Sequence, residues 1–317
     1  MADDDYPVQL TAPDIAGYRA GNTGVEYVTT LDGGRSGPHV VVTAVVHGNE
    51  LCGAIALDWA FRENIRPLQG KLTLAFCNVA AFNSFDPDRP TASRFVDEDF
   101  NRVWSPEVLD GARSSAEIRR ARELRPIIDQ ADFLLDIHSM QQATEPLMMC
   151  GPLAKGRRFA REVGAPKTIV SDEGHVAGRR MRDYGDFGDP ASAKNALLVE
   201  CGQHWERSSA DVAIDTMVRF LARTGAIDEA SARRYARLPK PDAQRLIEVT
   251  EAITIRSDEF DFASEYRGLE VIAKAGTVIG RDGGAPVRTP YDECVLIMPS
   301  RRLSRGQTAV RLGRFVQ

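Results

Sequence analysis

The sequence predicts an α/β fold in which helices cover both faces of a mostly parallel mixed sheet, with a small all-β domain at the C-terminus. Along the first 240 residues, short apolar runs alternate with segments of helical periodicity, which is typical of parallel strands joined by helices. From residue 241 onward the helical periodicity disappears, and short runs of β-forming residues are separated by Gly and Pro. These patterns divide the chain into residues 1–240 and residues 241–317.

Six apolar runs in the first part predict strands, and four segments predict helices. The runs are apolar at nearly every position, which is typical of strands buried on both faces of a sheet. We expect strands near 40–46, 72–77, 133–137, 147–150, 168–171 and 196–200, and helices near 50–62, 114–130, 154–163 and 208–224. Open α/β folds place their sites at the carboxyl ends of such strands, so polar residues there are candidates for function.

The second part follows a linker rich in proline at residues 238–241. Gly and Pro turns separate four expected strands, near 245–255, 269–272, 277–280 and 293–299. We therefore predict a small β domain over residues 241–317, attached to a catalytic α/β domain over residues 1–240.

The composition is that of a soluble enzyme. With 317 residues, of which 43% are hydrophobic, the chain can bury a full core, and its formal net charge of −5 argues against a nucleic-acid partner. Five cysteines without paired spacing predict a reducing, cytoplasmic compartment. The acidic residues 1–5 are followed by no apolar segment, so we expect no signal peptide. No stretch approaches the ~20 apolar residues of a membrane span.

Two histidines and a glutamate follow two of the predicted strands. His47 and Glu50 come directly after the first strand, and His138 follows the third. If the chain turns into a helix after the first strand, side chains three positions apart reach one ion, and Gly48 permits the tight turn. Either histidine alone would usually be structural, but a catalytic zinc takes three protein ligands of this kind. The pattern predicts a metal centre, with Asp136 as a hydrogen-bond partner for the His138 imidazole.

Glu200 ends another buried run, at residues 195–199. A carboxylate at the end of a buried strand is costly unless it is paired, hydrogen-bonded or functional. Zinc hydrolases need one carboxylate that is not a metal ligand, to take a proton from water and return it to the leaving group. We therefore predict that Glu200 is the general base. The alternative is a structural ion pair with a neighbouring arginine.

A polar loop before the helix near 114–130 carries two arginines and an amide, namely Arg94, Asn101 and Arg102. A guanidinium group binds a carboxylate or a developing oxyanion through two parallel hydrogen bonds and keeps its charge. Loops at strand ends commonly bind substrates. The loop therefore predicts an anion-binding element, although a solvated basic surface would have the same composition.

Five short motifs occur in order along the chain: HGNE at 47–50, NVAAF at 78–82, DFNR at 99–102, DIH at 136–138 and ECG at 200–202. Each motif alone is weakly specific. Together and in this order they resemble the aspartoacylase and succinylglutamate desuccinylase family, a branch of the zinc carboxypeptidase-like amidohydrolases. The resemblance covers residues 35–205 well and the rest loosely, and it implies a zinc carboxypeptidase-like fold.

The resemblance also implies a role for each matching residue. The strand-end residues would bind one zinc per chain and supply the general base, with His47, Glu50 and His138 as ligands and Glu200 as the base. In the polar loop, Arg94 would polarise the scissile carbonyl, while Asn101 and Arg102 would hold a carboxylate of the substrate. These roles agree with those that the residue types suggest on their own.

The residues after Glu200 depart from the family pattern. Family members that accept an acidic amino acid use additional basic and tyrosyl groups near the base, whereas this chain has Gln203, His204 and Trp205 there, which leaves the substrate open. We predict that His204 contacts substrate, with a structural hydrogen bond as the alternative. By resemblance, the C-terminal β domain narrows the mouth of the site, and Tyr291 is a candidate substrate contact. The alternative is a β domain that only stabilises or oligomerises the protein.

The segment 171–190 is dense in Gly, Asp and Arg and predicts a flexible loop that closes over the site. Its arginines Arg179, Arg180 and Arg182 would meet an anionic substrate or, as is usual for such clusters, be solvated. His175 in this loop and His39 are expected to have no role in the site.

The sequence therefore predicts a zinc-dependent amidohydrolase. It would hydrolyse the amide bond of a small N-acyl amino acid or related N-acyl amine, releasing a carboxylic acid and an amine. The alternative is a zinc metallocarboxypeptidase, in which Asn101 and Arg102 would hold the terminal carboxylate of a peptide. A metal-binding scaffold without turnover is a third alternative, against which an intact Glu200 argues. The expected partner is a small anionic substrate, without nucleic acid or membrane, and a homo-oligomer is compatible with the sequence.

Overall fold

The structure is a computed structural model that describes residues 6–175 and 177–316. The acidic residues 1–5, on which the expectation about a signal peptide depends, lie outside these ranges. Within the described residues, eleven strands form one large sheet and three strands form a small one. Every helix in these ranges is too short or too polar to cross a bilayer.

The strands and helices are numbered in chain order. The strands are β1 (Val28–Asp32), β2 (His39–Ala44), β3 (Lys71–Phe76), β4 (Phe133–Met140), β5 (Leu147–Met149), β6 (Thr168–Ser171), β7 (Asn195–Gln203), β8 (Arg245–Thr254), β9 (Phe260–Phe262), β10 (Val271–Ile272), β11 (Val278–Asp282), β12 (Ala285–Arg288), β13 (Cys294–Ile297) and β14 (Thr308–Val316). The helices are α1 (Leu51–Arg62), α2 (Val79–Phe82), α3 (Pro106–Leu109), α4 (Ala116–Gln130), α5 (Ala154–Val163), α6 (Arg207–Arg223) and α7 (Glu229–Tyr235).

The large sheet has the order β1-β3-β2-β4-β7-β5-β6-β8-β14-β13-β10. Its central strands β3, β2, β4 and β7 are parallel, and so are β5, β6 and β8, while β5 runs antiparallel to β7. The remaining pairs, at β1 and among β8, β14, β13 and β10, are antiparallel. The predicted mixed sheet is confirmed, and among the strands of residues 1–240 most pairs are parallel.

Helices cover both faces of the central strands. Val40 and Val42 of β2 pack in a core with residues of α1, α5 and α6, whereas Val41 packs in a second core with residues of α4. Successive side chains of a strand point to opposite faces, so a strand that is apolar throughout needs a cover on each side. The expected helices on both faces are therefore confirmed.

The C-terminal segment consists of strands that belong to two sheets. β8, β14, β13 and β10 continue the large sheet, and β8 pairs in parallel with β6. Only β9, β11 and β12 form the small antiparallel sheet. Backbone hydrogen bonds thus cross the predicted boundary at residues 240 and 241, and the division into two domains stays a prediction.

Candidate active site

A tight turn after β2 places His47 and Glu50 side by side. Gly48 is required there, because a Cβ at this position would lie 2.3 Å from the carbonyl carbon of Ala81. The helix expected near 50–62 is confirmed as α1, which begins at Leu51. His47 and Glu50 precede it, so the turn itself, and not helical spacing, brings the two residues together. The Nδ1 atom of His47 lies 2.7 Å from Oε1 of Glu50.

His138 reaches the same point from the neighbouring strand β4. Its Nδ1 atom lies 2.9 Å from Oε2 of Glu50, and its ring centroid lies 5.2 Å from that of His47. One ligand atom from each of the three residues lies within 4.8 Å of the others, and all three side chains are buried. Two imidazoles and a carboxylate without a thiolate form a donor set that fits zinc.

Each imidazole is held from its far side by an aspartate. The Nε2 atom of His138 lies 2.8 Å from Oδ2 of Asp136, and Nε2 of His47 lies 3.0 Å from Oδ1 of Asp99. Such carboxylates fix the ring orientation and tautomer and raise the basicity of the other nitrogen. Burial lowers the pKa of His138, but Asp136 and Glu50 outweigh it and hold that pKa well above its usual value. The negative potential that they create favours a cation.

The general base predicted from the sequence lies on the next strand. Glu200 in β7 pairs with His138 in β4. The register between the two strands shifts just after this pair, where Gly202 has a positive φ of 106°. Burial raises the pKa of Glu200 to about 8. Among the described residues, its Oε2 atom has no hydrogen-bond partner. Glu200 thus presents an unused carboxylate oxygen beside the donor set.

The polar loop places Arg94 against the donor set. The N–H group of Gly48 donates to the carbonyl oxygen of Arg94 at 3.1 Å and so fixes the loop on the turn. Nη2 of Arg94 lies 2.9 Å from Nε2 of His47 and donates to Asp99 at 3.1 Å, and Nη1 lies 3.5 Å from Oε1 of Glu50. A fixed positive charge therefore adjoins the residues that would hold the metal.

Asn101 and Arg102 lie in a short 3-10 helix that Asp99 caps by accepting the Asn101 N–H at 2.9 Å. Oδ1 of Asn101 accepts the backbone N–H of Met181 at 3.0 Å, which leaves the amide nitrogen of this side chain for the pocket. Burial lowers the pKa of Arg102 to about 10, so its guanidinium group remains charged at neutral pH. Both side chains can donate to an anion.

One pocket of about 160 Å³ contains eight of the nine predicted site residues, namely His47, Glu50, Arg94, Asn101, Arg102, His138, Glu200 and His204. The structure brings these residues together, and the roles assigned to them stay predictions. Tyr291 lies outside this lining, in contrast to its predicted contact with substrate. Its hydroxyl group is hydrogen-bonded to Thr250, and its ring packs in the C-terminal core under Arg314.

His204 is a buried, neutral histidine. Burial lowers its pKa to about 3. Its Nδ1 atom lies 2.8 Å from Oγ of Ser139, and Nε2 has no partner among the described residues. The structure therefore contains the alternative hydrogen bond and also places the side chain in the pocket.

The segment 171–190 is packed against the protein, as judged from its described residues. Arg180 donates to both carboxylate oxygens of Asp172, and Arg182 donates to the carbonyl oxygens of Cys150 and Ala196. Both arginines are only 3% exposed, so the expectation that they are solvated is wrong, whereas Arg179 is exposed.

Sequence reasoning missed several residues of the pocket wall. Asp99 is part of the DFNR motif and could have been found from it. His175, which was expected to have no role, lines the pocket and contacts Arg311 of β14. Arg311 had no signal in the sequence, because a single arginine in a C-terminal strand has no special spacing to the motifs.

Comparison with known proteins agrees with this site. Residues 36–223 match the family model of the succinylglutamate desuccinylase/aspartoacylase catalytic domain, a stretch that contains the donor set, Arg94 and Glu200. The chain belongs to this family. Membership indicates hydrolysis of the deacylase type, as the names desuccinylase and aspartoacylase describe.

Individual family members are distant in sequence. A succinylglutamate desuccinylase of Pseudoalteromonas atlantica is 21% identical over 300 residues, which cover 87% of this chain and 81% of the relative. A succinylglutamate desuccinylase/aspartoacylase of Rhodobacter sphaeroides has a TM-score of 0.65 at 19% identity, covering 92% of this chain and 90% of that one. A succinylglutamate desuccinylase of Vibrio cholerae has a TM-score of 0.65 at 16% identity, covering 92% of this chain and 89% of that one. These structural matches confirm the fold class.

Proposed function

We propose that the protein is a zinc-dependent deacylase that hydrolyses the amide bond of a small N-acyl amino acid or related N-acyl amine. The observation that carries this proposal is the meeting, in one pocket, of the His47, Glu50 and His138 donor set with the unpartnered carboxylate oxygen of Glu200. A metal-binding scaffold has no use for such a buried oxygen, whereas hydrolysis requires it.

His47, Glu50 and His138 would hold one zinc ion per chain. When bound there, zinc would lower the pKa of a water molecule towards about 7 and would polarise a carbonyl oxygen. Asp99 and Asp136, behind the two imidazoles, support this assignment, because zinc-binding histidines almost always have such a partner.

Glu200 acts as the general base in this proposal. Its Oε2 atom accepts a proton from the attacking water and returns it to the nitrogen of the departing amine. A base is most effective when its pKa lies near the working pH, and burial raises the pKa of Glu200 in that direction. The side chain therefore combines the position and the basicity that the reaction needs.

Three loop residues bind and orient the substrate. The charge of Arg94 adjoins the donor set and stabilises the negative charge that develops on the amide oxygen. The amide nitrogen of Asn101 and the guanidinium group of Arg102 hold a carboxylate of the substrate. The partner that this pocket suits is a small anion, in keeping with its volume of about 160 Å³.

The proposal is tested with a substrate panel. Zinc-loaded protein is incubated with N-acetyl, N-formyl and N-succinyl amino acids and with hippuryl dipeptides, and the released amine is measured. We expect turnover of at least one N-acyl amino acid, loss of it in Glu200→Gln, and none in the dipeptides. The exposed Glu173, outside the pocket, provides the matched control Glu173→Gln, which should remain active. Preferred cleavage of the dipeptides would identify a carboxypeptidase instead, and a protein inactive on the whole panel would contradict the proposal.

A further inference from the structure

The NVAAF motif at 78–82 has no part in the chemistry proposed above. Its first residue, Asn78, is buried just after β3. The N–H group of Asn78 donates at 2.9 Å to the carbonyl oxygen of Val45, two positions before His47. Its side-chain amide donates to Oε1 of Glu117 at 3.0 Å. The motif thus joins the turn that carries His47 to the carboxylate of Glu117.

Glu117 is a fully buried carboxylate at the start of α4. Besides the amide of Asn78, its Oε1 atom accepts the backbone N–H of Val96 at 2.7 Å. Its Oε2 atom accepts the N–H groups of Asp97 and Glu98 at 3.1 and 3.2 Å. Two donors on each oxygen suit the ionised form, which only accepts hydrogen bonds. Successive backbone N–H groups of this kind form a concavity that binds anions, and here they bind a side chain of the same protein.

The three backbone donors belong to the middle of the polar loop, which begins with Arg94. Apolar packing contributes little there, because Phe95 is 37% exposed and Val96 is 49% exposed. The side chains of Asp97 and Glu98 have partners near the start of α4 as well, but these contacts are exposed to water. The buried carboxylate is therefore the main element that fixes the loop next to Arg94.

We propose that Glu117 is a positioning residue for the reaction, which sets where Arg94 and Arg102 stand relative to the donor set. This inference rests on the proposed function and deepens it. Glu117 lies outside the pocket and acts through the loop that carries both arginines, while Asn78 links it to the turn of His47. A displacement of about 1 Å in such orienting groups can cost about 100-fold in rate. A carboxylate remote from the substrate can therefore govern turnover.

The first test is kinetic and uses zinc-loaded protein. Glu117→Gln keeps the size of the side chain but directs an NH2 group at two of the four donors, so those two hydrogen bonds are lost. We expect kcat to fall and KM to rise together, with kcat/KM about 100-fold lower, in a protein that is folded by circular dichroism. Glu123→Gln, exposed on the same helix, is the matched control and should keep native kinetics. Asn78→Ala removes one donor and should act in the same direction more weakly, which keeps the test decisive if Glu117→Gln does not fold.

A double-mutant cycle shows whether Glu117 acts through the arginines. Arg94→Ala leaves no side chain to position, so adding Glu117→Gln to it should lower kcat much less than in the native background. The same comparison with Arg102→Ala should show a smaller rise in KM. Full additivity in both cycles is what a merely structural role would give.

Two further measurements do not depend on turnover. Hydrogen exchange over residues 95–99, followed by mass spectrometry, reports on the amides that bind Glu117. Exchange should be at least about tenfold faster in Glu117→Gln and unchanged in Glu123→Gln. Affinity for an N-acyl amino acid, measured by calorimetry in the Glu200→Gln background, should fall when Glu117→Gln is added.

The outcomes separate this inference from the proposed function. Native kcat and KM in a folded Glu117→Gln protein, or additivity in both cycles, overturns the role of Glu117 and leaves the deacylase proposal intact. Faster exchange and weaker ligand binding, in a protein that is inactive on the whole substrate panel, support the positioning role and overturn the proposed reaction. Unchanged exchange and unchanged binding in such a protein overturn both.

Discussion

Glu200 and His138 are direct neighbours across the parallel strands β7 and β4, at the same level of the sheet. Because the two strands are hydrogen-bonded, the distance between the proposed base and the proposed ligand imidazole is set by the sheet and not by a flexible loop. The site is thereby built on its most rigid element, which is where a catalytic geometry is best preserved.

The first prediction concerns the support of the metal. Asp136 accepts from the Thr43 hydroxyl group at 2.7 Å as well as bonding to His138. The native protein should contain one zinc per chain, and Asp136→Asn should weaken zinc binding by about 10- to 100-fold. Competition with a chelator measures the affinity. Thr43→Val, which removes only the hydrogen bond from Thr43 to Asp136, should weaken zinc binding less. Equal zinc affinity in the native protein and both variants would refute a supporting role for Asp136.

The second prediction concerns the base. Glu200→Gln keeps the shape of the side chain and removes its proton acceptor, so kcat should fall by about 100-fold or more. Its zinc content, measured by metal analysis, should stay unchanged because Glu200 is not a ligand. Near-normal turnover in this variant would show that the base lies elsewhere.

The third prediction separates binding from chemistry. Arg94 acts on charge that develops only near the transition state, so Arg94→Ala should lower kcat. Arg102 acts on a carboxylate that is charged throughout, so Arg102→Ala should chiefly raise KM. Each loss should amount to about 2 to 5 kcal/mol, or roughly thirtyfold to several thousandfold.

Because Arg94 also contacts His47, the zinc content of Arg94→Ala must be measured beside its kinetics. Lysine should rescue neither position, since it lacks the planar fork. Equal effects of both substitutions on kcat, with KM unchanged, would contradict this division of roles.

The fourth prediction uses a glycine that packs on the polar loop. Gly178 has a φ of 148°, and a Cβ there would lie 2.2 Å from the carbonyl oxygen of Arg102. Gly178→Ala should therefore displace Arg102 and raise KM, besides lowering stability by about 1–3 kcal/mol through backbone strain. Gly185→Ala is the control, because Gly185 also has a positive φ, 54°, but open space around it. A similar KM in the two variants would argue against a role for Arg102 in binding.

The fifth prediction concerns acid stability. Burial opposes the charge of Asp183, but Arg180 and Arg182 outweigh it and lower its pKa to about 2, from an ordinary value of about 3.9. A carboxylate whose pKa is lower in the folded state than in the unfolded state stabilises the protein fully at pH values above its unfolded-state pKa. This stabilisation is lost as the pH falls towards the folded-state pKa. The contribution at neutral pH is about 2 kcal/mol and should disappear between about pH 4 and about pH 2.

Urea unfolding over this acidic range measures the effect. Asp183→Asn should be less stable than the native protein at neutral pH, because two buried arginines lose a partner, but its stability should depend less steeply on pH. If the unfolding free energy of Asp183→Asn changed with pH as steeply as that of the native protein, Asp183 would not titrate in this way.

Much of the fold was predictable because the central strands are continuous apolar runs. Strands of this kind are buried on both faces, so their positions are visible in the sequence without knowledge of their neighbours. The antiparallel edge strand β1, the short strands β9 and β12 and the C-terminal β14 were missed. β14 contains Arg311 and Gly313 among its apolar residues, and these break the pattern by which a strand is recognised.

The site divides in the same way. The donor set and Glu200 were predictable because each lies in or just after the carboxyl-terminal part of a strand, and these strand ends meet at one edge of the sheet. The contact between His175 and Arg311 joins positions 136 residues apart through the C-terminal strands, and no local pattern encodes it. Tyr291 was predicted to contact substrate but bonds to Thr250 instead. This contact is set by the pairing of strands and not by the neighbours of Tyr291 in sequence.

The parallel pairing of β6 with β8 also bears on how the chain is made. All four residues of β6 are buried, and until β8 has been synthesised its N–H and C=O groups form an open sheet edge. An open apolar edge is a template for pairing with other chains. During synthesis, the edge of β6 would therefore stay uncovered until residues 245–254 have followed, and pairing with β8 closes it.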